Sequence, residues 1–366
     1  MKFSIVTPSY NQLDWLRLCV ASVRDQVEEI AEKLKNRDSE KDSASVPPDS
    51  RLGKRDLANG NLSARNLEQQ DVSISASQAV SLSVEHIIQD AGSPGIEEFA
   101  REVGADFYRE GKLIFSFSAS QDLSISSYRL AIYCERDGGM YDAVNRGFCK
   151  ATGSICAYLN CDEQYLPHAL SMVDHIFSCS QRTDIVSAAC LVVSSHGELI
   201  AMRPGLRPWT GHILLDHLPI FSASLFYRRS VVENKWAHFD PRLRDVADAT
   251  WVVDRLREGC CFKAVAFPTT AFTDTGSNMN LKSNARREAA YLRKLAPRWM
   301  SACRRLIILL HRLKKAFLGC YWPRCINYSI YTLASRNVRV QFRNQITKQI
   351  LKNYVNVVDN EISDHK

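Results

Sequence analysis

The segment from residue 137 to residue 163 places a helix pattern directly before a strand pattern. Apolar residues recur at helical spacing over 141–148, and Gly153 marks the expected helix end. The strand that follows, "SICAYLN", leads into Asp162 and Glu163. A buried strand that follows a helix is typical of a parallel sheet, whose ligands bind at the carboxyl ends of the strands. The segment therefore predicts an α/β fold with a polar site after this strand.

The start of the chain has the same organisation. Residues 3–7 are apolar and precede "PSYN" and an amphipathic helix, and a second strand ends at Asp90 before "AGSPG". Asp248 lies in the first turn of a later helix. A parallel sheet would gather Asp90, Asp162 and Asp248 along one rim. Such carboxylates suit Mg²⁺ or Mn²⁺, which take further ligands from phosphate oxygens.

Composition describes a globular chain with reduced thiols. The 366 residues are 45% hydrophobic, which is enough for a full core. Twelve cysteines occur without a CxxC pair or a metal-ligand spacing, so we expect a reducing compartment and no zinc site. The nine histidines show no ligand spacing, and we expect them to be structural or exposed. We find no secretory signal pattern and no apolar run of the roughly 20 residues that span a bilayer. The expected location is cytoplasmic.

Two segments depart from the α/β pattern. Residues 28–83 are polar and poor in aromatics, which predicts a partly disordered surface insertion within a domain spanning 1–275. Residues 276–366 form a basic extension that we expect to be mainly helical. Within it, residues 282–352 carry 17 Lys and Arg against one acid, in a chain of net charge +7. This asymmetry predicts contact with something anionic.

An apolar stripe runs along a predicted helix of this extension. Positions 303, 306, 310, 313 and 317 are apolar or cysteine, and Arg and Lys flank them. Two interpretations stay open: the stripe packs on the core and leaves a solvated basic face, or the helix docks on the head groups of an anionic membrane. No nucleic-acid recognition module accompanies the helix, so we expect no nucleic-acid partner.

Four blocks of the sequence, in order, resemble the family 2 inverting glycosyltransferases of the GT-A fold. The blocks read "SIVTPSYNQLDWLRLCVASVRDQ", "VEHIIQDAGSPG", "DGGMYDAVNRGFCKATGSICAYLNCDE" and "FYRRS…FDPRLRDVADATWVVDRL". Together they cover residues 1–27 and 84–275. The resemblance implies an open, twisted, mostly parallel Rossmann-like sheet with helices on both faces. It also implies transfer of a sugar from a UDP- or GDP-sugar.

The resemblance implies roles for the residues that keep the family motifs. Asp248 matches the general base, and Asp162 matches the metal ligand of a DxD-type element, with Mg²⁺ or Mn²⁺ as the implied cofactor. The positions implied to bind the nucleotide sugar are Pro8, Ser9, Tyr10, Asn11, Asp90, Asp142, Asn145, Asn160 and Glu163. In the implied reaction a base deprotonates the acceptor hydroxyl, a metal stabilises the leaving diphosphate, and one displacement inverts the anomeric carbon.

Three positions depart from the family pattern and leave donor and acceptor open. Glu163 stands where Asp is commoner, Gly138 where many relatives carry lysine, and Ser222 near a position often held by histidine. We expect a lipid-linked or polysaccharide acceptor and a protein peripheral to the inner face of the membrane. Simpler roles also stay open, because Asp90 is suited to capping a turn and Asp248 to stabilising a helix start.

Two other functions remain as alternatives. One is a catalytically inactive, membrane-docked scaffold that keeps the GT-A fold. The other is a sugar nucleotidyltransferase, which would use a similar sheet and metal but would need a basic, glycine-rich first loop to hold a triphosphate. The loop "TPSYNQ" lacks that character, so the transferase is the favoured hypothesis.

Overall fold

One large sheet organises the fold. A computed structural model describes residues 1–43, 82–117, 127–233, 238–275, 283–322 and 324–346. The strands of the main sheet are β1 (Lys2–Ser9), β2 (Ser83–Asp90), β3 (Asp106–Arg109), β4 (Lys112–Phe115), β5 (Ser127–Cys134), β6 (Ile155–Tyr158), β7 (Glu163–Tyr165), β8 (Ile185–Ser194), β9 (Leu199–Arg203), β10 (Leu225–Arg228) and β11 (Phe262–Asp274). Their order is β4-β3-β5-β2-β1-β6-β10-β8-β11-β7, with β9 paired to β8.

The strands at the centre of this sheet are parallel. β5, β2, β1 and β6 run in one direction, and β11 is parallel to β8. β10 is antiparallel to both of its neighbours, and β4, β7 and β9 are antiparallel strands at the margins. The predicted α/β class with a mostly parallel sheet is confirmed.

Helices connect the strands and cover the sheet. They are α1 (Leu13–Ser43), α2 (Ile96–Val103), α3 (Met140–Lys150), α4 (Ala169–Cys179), α5 (Thr210–Leu215), α6 (Ala247–Arg257), α7 (Ser283–Lys294), α8 (Arg298–Ala302) and α9 (Arg304–Phe317). Ile5 of β1 packs with Cys19 and Val23 of α1, whereas Val6 packs with Val144 of α3. Successive strand residues point to opposite faces, so α1 and α3 cover opposite faces, as predicted.

The structure describes part of each of the two segments that depart from the α/β pattern, residues 28–83 and 276–366. The predicted insertion at 28–83 begins inside α1, which continues to Ser43, and residues 44–81 lie outside the described residues. In the extension, the helices α7, α8 and α9 are followed by a hairpin of β12 (Arg324–Thr332) and β13 (Ser335–Ile346). The sequence patterns did not suggest this hairpin.

The hairpin is joined to the main domain by buried polar contacts. Tyr331 donates its backbone N–H to Gln164 Oε1 at 2.9 Å, and Gln164 Nε2 donates back to the Tyr331 carbonyl at 3.0 Å. Arg339 Nε lies 2.8 Å from Asp25 Oδ2, and the Tyr328 hydroxyl donates to the Gly197 carbonyl at 2.7 Å. These contacts join both strands of the hairpin to the main domain, so the hairpin is part of the folded unit.

Helix α9 packs with a different face from the one that the apolar stripe suggested. Its buried residues are Ile307, His311 and Lys315, while Leu306 is 53% and Phe317 is 89% exposed. The interpretation in which the stripe packs on the core is therefore wrong for the part of the chain that the structure describes. The face of α9 that packs is the one that carries His311, because the His311 ring stacks on the ring of His212 in α5 with centroids 3.6 Å apart.

Gly147 sets how closely α3 approaches β1, and its replacement tests this packing. A methyl group at Gly147 would overlap the Val6 side chain. We expect Gly147→Ala to lower the free energy of unfolding by about 1–3 kcal/mol, because an overpacked core must shift. The measurement is urea unfolding followed by circular dichroism.

Gly211→Ala is the matched control, because Gly211 also lies in a helix. A methyl group there would have its nearest neighbours, Ile307 and Met300, at 3.5 Å, which is ordinary contact. The control should be unchanged or gain up to about 1 kcal/mol from helix propensity. Equal stability of the two variants would contradict the close approach of α3 to β1.

Candidate active site

The carboxyl ends of β1, β2 and β6 meet at one edge of the sheet. The parallel register pairs Ser9 with Asp90 at the ends of β1 and β2. The loop after β6 returns to β1, where the Cys161 thiol lies 3.3 Å from the Pro8 carbonyl oxygen. The structure thus brings the first loop, Asp90 and Asp162 to the same rim, which is the arrangement that the sequence predicted.

Asp90 ties two loops of this rim together. Its buried carboxylate accepts hydrogen bonds from Gly92 N at 2.9 Å, from Ser93 N at 2.7 Å and from the Ser93 hydroxyl at 2.7 Å. The Ser93 oxygen in turn accepts the Asn11 N–H at 2.7 Å. Asn11 has a φ of 55°, which asparagine tolerates well, and Tyr10 beside it is 62% exposed. Asp90 therefore fills the turn-capping role that the sequence left open, and nucleotide contact by Asp90 or Tyr10 stays a prediction.

Two polar residues of α3 orient neighbouring segments. Asp142 accepts the Gly138 N–H at 2.8 Å and Arg146 Nε at 3.0 Å. Asn145 is nearly buried and clamps the Phe239 backbone, donating to its carbonyl at 2.8 Å and accepting its N–H at 2.9 Å. Phe239 begins the segment that leads to α6, so Asn145 positions the helix that carries the predicted base.

Two acids follow β6, Asp162 in the loop and Glu163 at the start of β7, and both have raised pKa values. Glu163 is 1% exposed and accepts Asn160 N at 2.6 Å and Asn160 Nδ2 at 3.2 Å. Burial, and next the charge of Asp162, raise the pKa of Glu163 well above its ordinary value. Burial also raises the pKa of Asp162. Within the described ranges, Asn160 Oδ1 is buried without a hydrogen-bond partner.

Asp248 is the third acid of this site. It lies in the first turn of α6, where its Oδ1 accepts the Ala249 N–H at 2.7 Å, and the neighbouring Tyr141 side chain partly offsets the effect of burial on its pKa. Burial raises the pKa of Asp248 to about 6. The charge of Asp248 also contributes to the raised pKa of Glu163. Asp162, Glu163 and Asp248 thus form one electrostatically connected group, which we call the carboxylate cluster.

The carboxylate cluster has the donor chemistry of a hard-cation site. Glu163 is buried, Asp162 and Asp248 are partly buried, and among the described residues the amide oxygen Asn160 Oδ1 has no hydrogen-bond donor. These oxygens carry lone pairs, and the pKa of each of the three acids is raised. Mg²⁺ and Mn²⁺ prefer such oxygen ligands. The residues therefore fit a divalent cation, and Asp162, the more accessible acid of the β6 loop, is the candidate ligand.

Sequence reasoning did not single out two residues that support this site. The sequence pattern places Tyr141 only on the apolar face of its helix, yet its side chain lies close enough to Asp248 to affect the pKa of that carboxyl group. Ser93 was treated as part of a turn, yet it links Asp90 to the first loop. A tyrosine immediately before Asp142 was the available signal for the first residue, and a serine three positions after Asp90 was the signal for the second.

The chain is thus an α/β protein with a carboxylate cluster at the carboxyl rim of a mostly parallel sheet. No family model matches it. It is similar to a PGL/p-HBAD biosynthesis glycosyltransferase of Mycobacterium tuberculosis and to one of Mycobacterium bovis, each 29% identical over 148 residues. Each match covers 37% of this chain and 53% of the relative, so the chain spans about half the length of these curated relatives.

Solved structures of S. aureus TarS also resemble the fold at a distance. The crystal structure of TarS 1-349 has a TM-score of 0.42 and 12% identity, covering 75% of this chain and 60% of that chain. TarS 1-349 in complex with UDP-GlcNAc has a TM-score of 0.42 and 11% identity, covering 76% of this chain and 60% of that chain.

Because the pKa of Asp248 is raised, we predict that replacing Asp248 increases the stability of the folded protein, and that this increase grows as the pH rises. The folded state holds a proton on Asp248 up to about pH 6, whereas the unfolded chain releases it near the ordinary value of 3.8. Wild-type stability contributed by this proton is present at low pH and is lost as pH rises through that interval. With chelator present, we expect Asp248→Asn to be about 1–3 kcal/mol more stable than wild type above pH 6 and near wild type at about pH 4.

The control for this measurement is Asp254→Asn on the same helix. Asp254 has a side chain that is 56% exposed, so its replacement should shift stability little at either pH. The readout is urea unfolding at a series of pH values. A difference between Asp248→Asn and wild type that does not grow with pH would show that Asp248 is not buried in this way.

Proposed function

We propose that this chain is a metal-dependent, inverting glycosyltransferase that moves a sugar from a UDP- or GDP-sugar to a hydroxyl of a lipid-linked or polysaccharide acceptor. The observation that carries the proposal is the convergence of Asp162, Glu163 and Asp248 at the carboxyl rim of the sheet. The order of the four family-like blocks and the similarity to mycobacterial glycosyltransferases support it.

Asp248 is proposed as the base because its environment suits proton transfer near neutral pH. A base works best when its pKa lies near the working pH, and burial brings the pKa of Asp248 to about 6. The acceptor oxygen forms a bond to the anomeric carbon, its proton passes to the Asp248 carboxylate, and the bond from that carbon to the diphosphate oxygen breaks. The Ala249 N–H holds the carboxylate in place through its hydrogen bond to Oδ1.

The remaining rim residues are proposed to bind the donor. Pro8, Ser9, Tyr10 and Asn11 form the loop under the nucleotide, Asp90 holds that loop, and Asp142, Asn145, Asn160 and Glu163 complete the proposed donor site. Asp162 would hold Mg²⁺ or Mn²⁺, which when bound supplies positive charge to the departing diphosphate. The mycobacterial relatives are named PGL/p-HBAD biosynthesis glycosyltransferases, which supports sugar transfer by this chain.

Replacing the two aspartates separates catalysis from donor binding. With Mn²⁺ and a panel of UDP- and GDP-sugars, Asp248→Asn should lower donor turnover by about 10²–10⁴-fold while nucleotide diphosphate still binds. Asp162→Asn should weaken the Mn²⁺-dependent binding itself. Nucleotide release measures turnover, and titration calorimetry measures binding.

Asp254→Asn serves again as the control on α6 and should keep wild-type turnover. Binding of a nucleoside diphosphate by the wild type without turnover of any donor would favour the inactive scaffold. Neither binding nor turnover with any donor would overturn the proposal. Synthesis of a sugar nucleotide from a nucleoside triphosphate would instead favour the nucleotidyltransferase.

We also propose that α9 rests on an anionic membrane surface at the cytoplasmic face. In the described ranges no helix combines the length and the hydropathy needed to cross a bilayer. Yet α9 and its flanks expose large apolar side chains: Trp299, Leu306, Leu309, Leu310, Leu313, Phe317, Leu318 and Trp322. Arg305 and Arg312 are exposed between them. Apolar side chains with flanking cations are the pattern of a helix that lies in the head-group layer.

Vesicle flotation tests the membrane proposal. Wild-type protein should float with vesicles of phosphatidylcholine and phosphatidylglycerol, and less with phosphatidylcholine alone. The double change Leu310→Ser with Phe317→Ser should weaken binding by about tenfold or more, because each apolar side chain contributes on the order of 1 kcal/mol when it leaves water.

The matched control is Leu113→Ser on β4, since Leu113 is 53% exposed but lies at the edge of the main sheet. It should float like wild type. Flotation that is equal for wild type and the α9 double variant would overturn the membrane proposal while leaving the transferase proposal intact.

A further inference from the structure

Three potential metal ligands lie close together away from the carboxylate cluster. They are His212 on α5, Asp216 directly after that helix, and His217, and one ligand atom from each lies within 4.8 Å of the others. His212 and Asp216 are four residues apart, which places both on one face of the helical turn. The side chain of His212 is 1% exposed and that of Asp216 is 10% exposed. We call these three residues the His-Asp-His cluster.

The hydrogen bonds of His212 leave a lone pair that faces a carboxylate. Its Nδ1 lies 3.1 Å from the carbonyl oxygen of His217, and a carbonyl only accepts, so Nδ1 carries the hydrogen. The other nitrogen of a neutral ring is then an acceptor. That nitrogen, Nε2, lies 3.3 Å from Asp216 Oδ2, which is also an acceptor. Two facing acceptors repel each other unless a cation or an additional proton lies between them.

His217 lies against the same carboxylate oxygen and also has a nitrogen without a partner. Its Nδ1 lies 2.9 Å from Asp216 Oδ2, while its Nε2 is buried and has no hydrogen-bond partner among the described residues. In a neutral ring one nitrogen is a donor and the other an acceptor. Whichever nitrogen holds the hydrogen, one polar atom of this ring has no partner in the part of the chain that the structure describes.

The spacing of these atoms suits a small divalent ion. Bonds of about 2.1 Å in a tetrahedral site place neighbouring ligand atoms about 3.4 Å apart. The separation of 3.3 Å between His212 Nε2 and Asp216 Oδ2 is close to that distance, and the separation of 2.9 Å between His217 Nδ1 and the same oxygen is shorter, so His217 would have to move slightly to bind the ion. A ring whose Nδ1 hydrogen is bonded to a backbone carbonyl, as in His212, is also the usual arrangement of a metal-binding histidine, because it fixes the orientation of the free nitrogen.

We propose that His212, Asp216 and His217 bind Zn²⁺. Two imidazoles and one carboxylate suit Zn²⁺ better than Mg²⁺, which prefers oxygen ligands. The site is distinct from the carboxylate cluster in ligand type and in position, since its residues lie on α5 and the turn after it. It does not depend on the proposed transferase activity.

The ion would stabilise the contact between the main domain and α9. Arg304 Nε donates to the Leu215 carbonyl at 2.9 Å, and His311 of α9 stacks on the His212 ring. Both contacts are made to the segment that carries the metal ligands. Zn²⁺ binding would therefore hold this segment in the form that α9 packs against, and its removal should loosen α9 first.

Cobalt substitution tests the proposal in the full chain. After chelator treatment and with the thiols kept reduced, Co²⁺ should bind with visible absorption bands typical of tetrahedral nitrogen and oxygen ligands. Asp216→Asn and His217→Ala should each weaken this binding by about 100-fold or more, since each removes a ligand. Zn²⁺ should compete for the site and raise the melting temperature of wild type but of neither variant.

Two controls separate this site from other metal sites of the chain. His196→Ala removes an exposed histidine and should bind Co²⁺ like wild type. Asp162→Asn should also keep the cobalt bands although it loses the Mn²⁺-dependent donor binding, so failure of the two proposals can be told apart.

Three outcomes would overturn the zinc proposal. The first is cobalt bands of equal strength in wild type and Asp216→Asn. The second is the absence of bands in folded wild type, which would indicate that a proton joins these side chains. Thiolate charge-transfer bands in place of the nitrogen and oxygen pattern would assign the metal to cysteines.

Discussion

The cost of burying carboxylates governs the architecture of this protein. Glu163 is buried and Asp162 and Asp248 are partly buried at the carboxyl rim of the sheet, and the loss of water around each carboxylate raises its pKa. Fold stability alone does not require acids in these positions, since burying an apolar side chain costs less free energy than burying a carboxylate. Stability is given up here to hold oxygen ligands near one another, which is typical of sites that bind a cation or transfer a proton.

The rest of the domain fixes these acids in position. The register between β1 and β2 brings the first loop beside Asp90, whose carboxylate is used to hold that loop through Ser93. Asn145 performs the same task for the segment before α6 by clamping the Phe239 backbone in both directions. Asp90 and Asn145 therefore orient backbone segments, whereas Asn160 Oδ1 has no hydrogen-bond donor among the described residues.

Much of the fold could be predicted because its central elements have local patterns. Buried strands followed by turns, and the helix over 141–148, indicated an α/β sheet and placed Asp162 and Asp248 at one rim. The hairpin of β12 and β13 could not be predicted in this way, because its partners Gln164 and Asp25 are distant in sequence. The packed face of α9 was also missed, since His311 and Lys315 are buried there by contacts that hydrophobic periodicity does not detect.

The unusual packing of α9 follows from what α5 offers it. A helix with an apolar stripe normally buries that stripe. Here α5 presents the ring of His212 to α9, and the ring of His311 on α9 stacks against it. Stacking of two imidazole rings depends on how the rings are oriented. The hydrogen bond from His212 Nδ1 to the His217 carbonyl fixes the orientation of the His212 ring. Once α9 is held by this polar face, Leu310 and Phe317 remain on the outside. Among the described residues, the packing of α9 through His311 therefore leaves its apolar and basic side chains exposed, and this is the surface proposed to rest on a membrane.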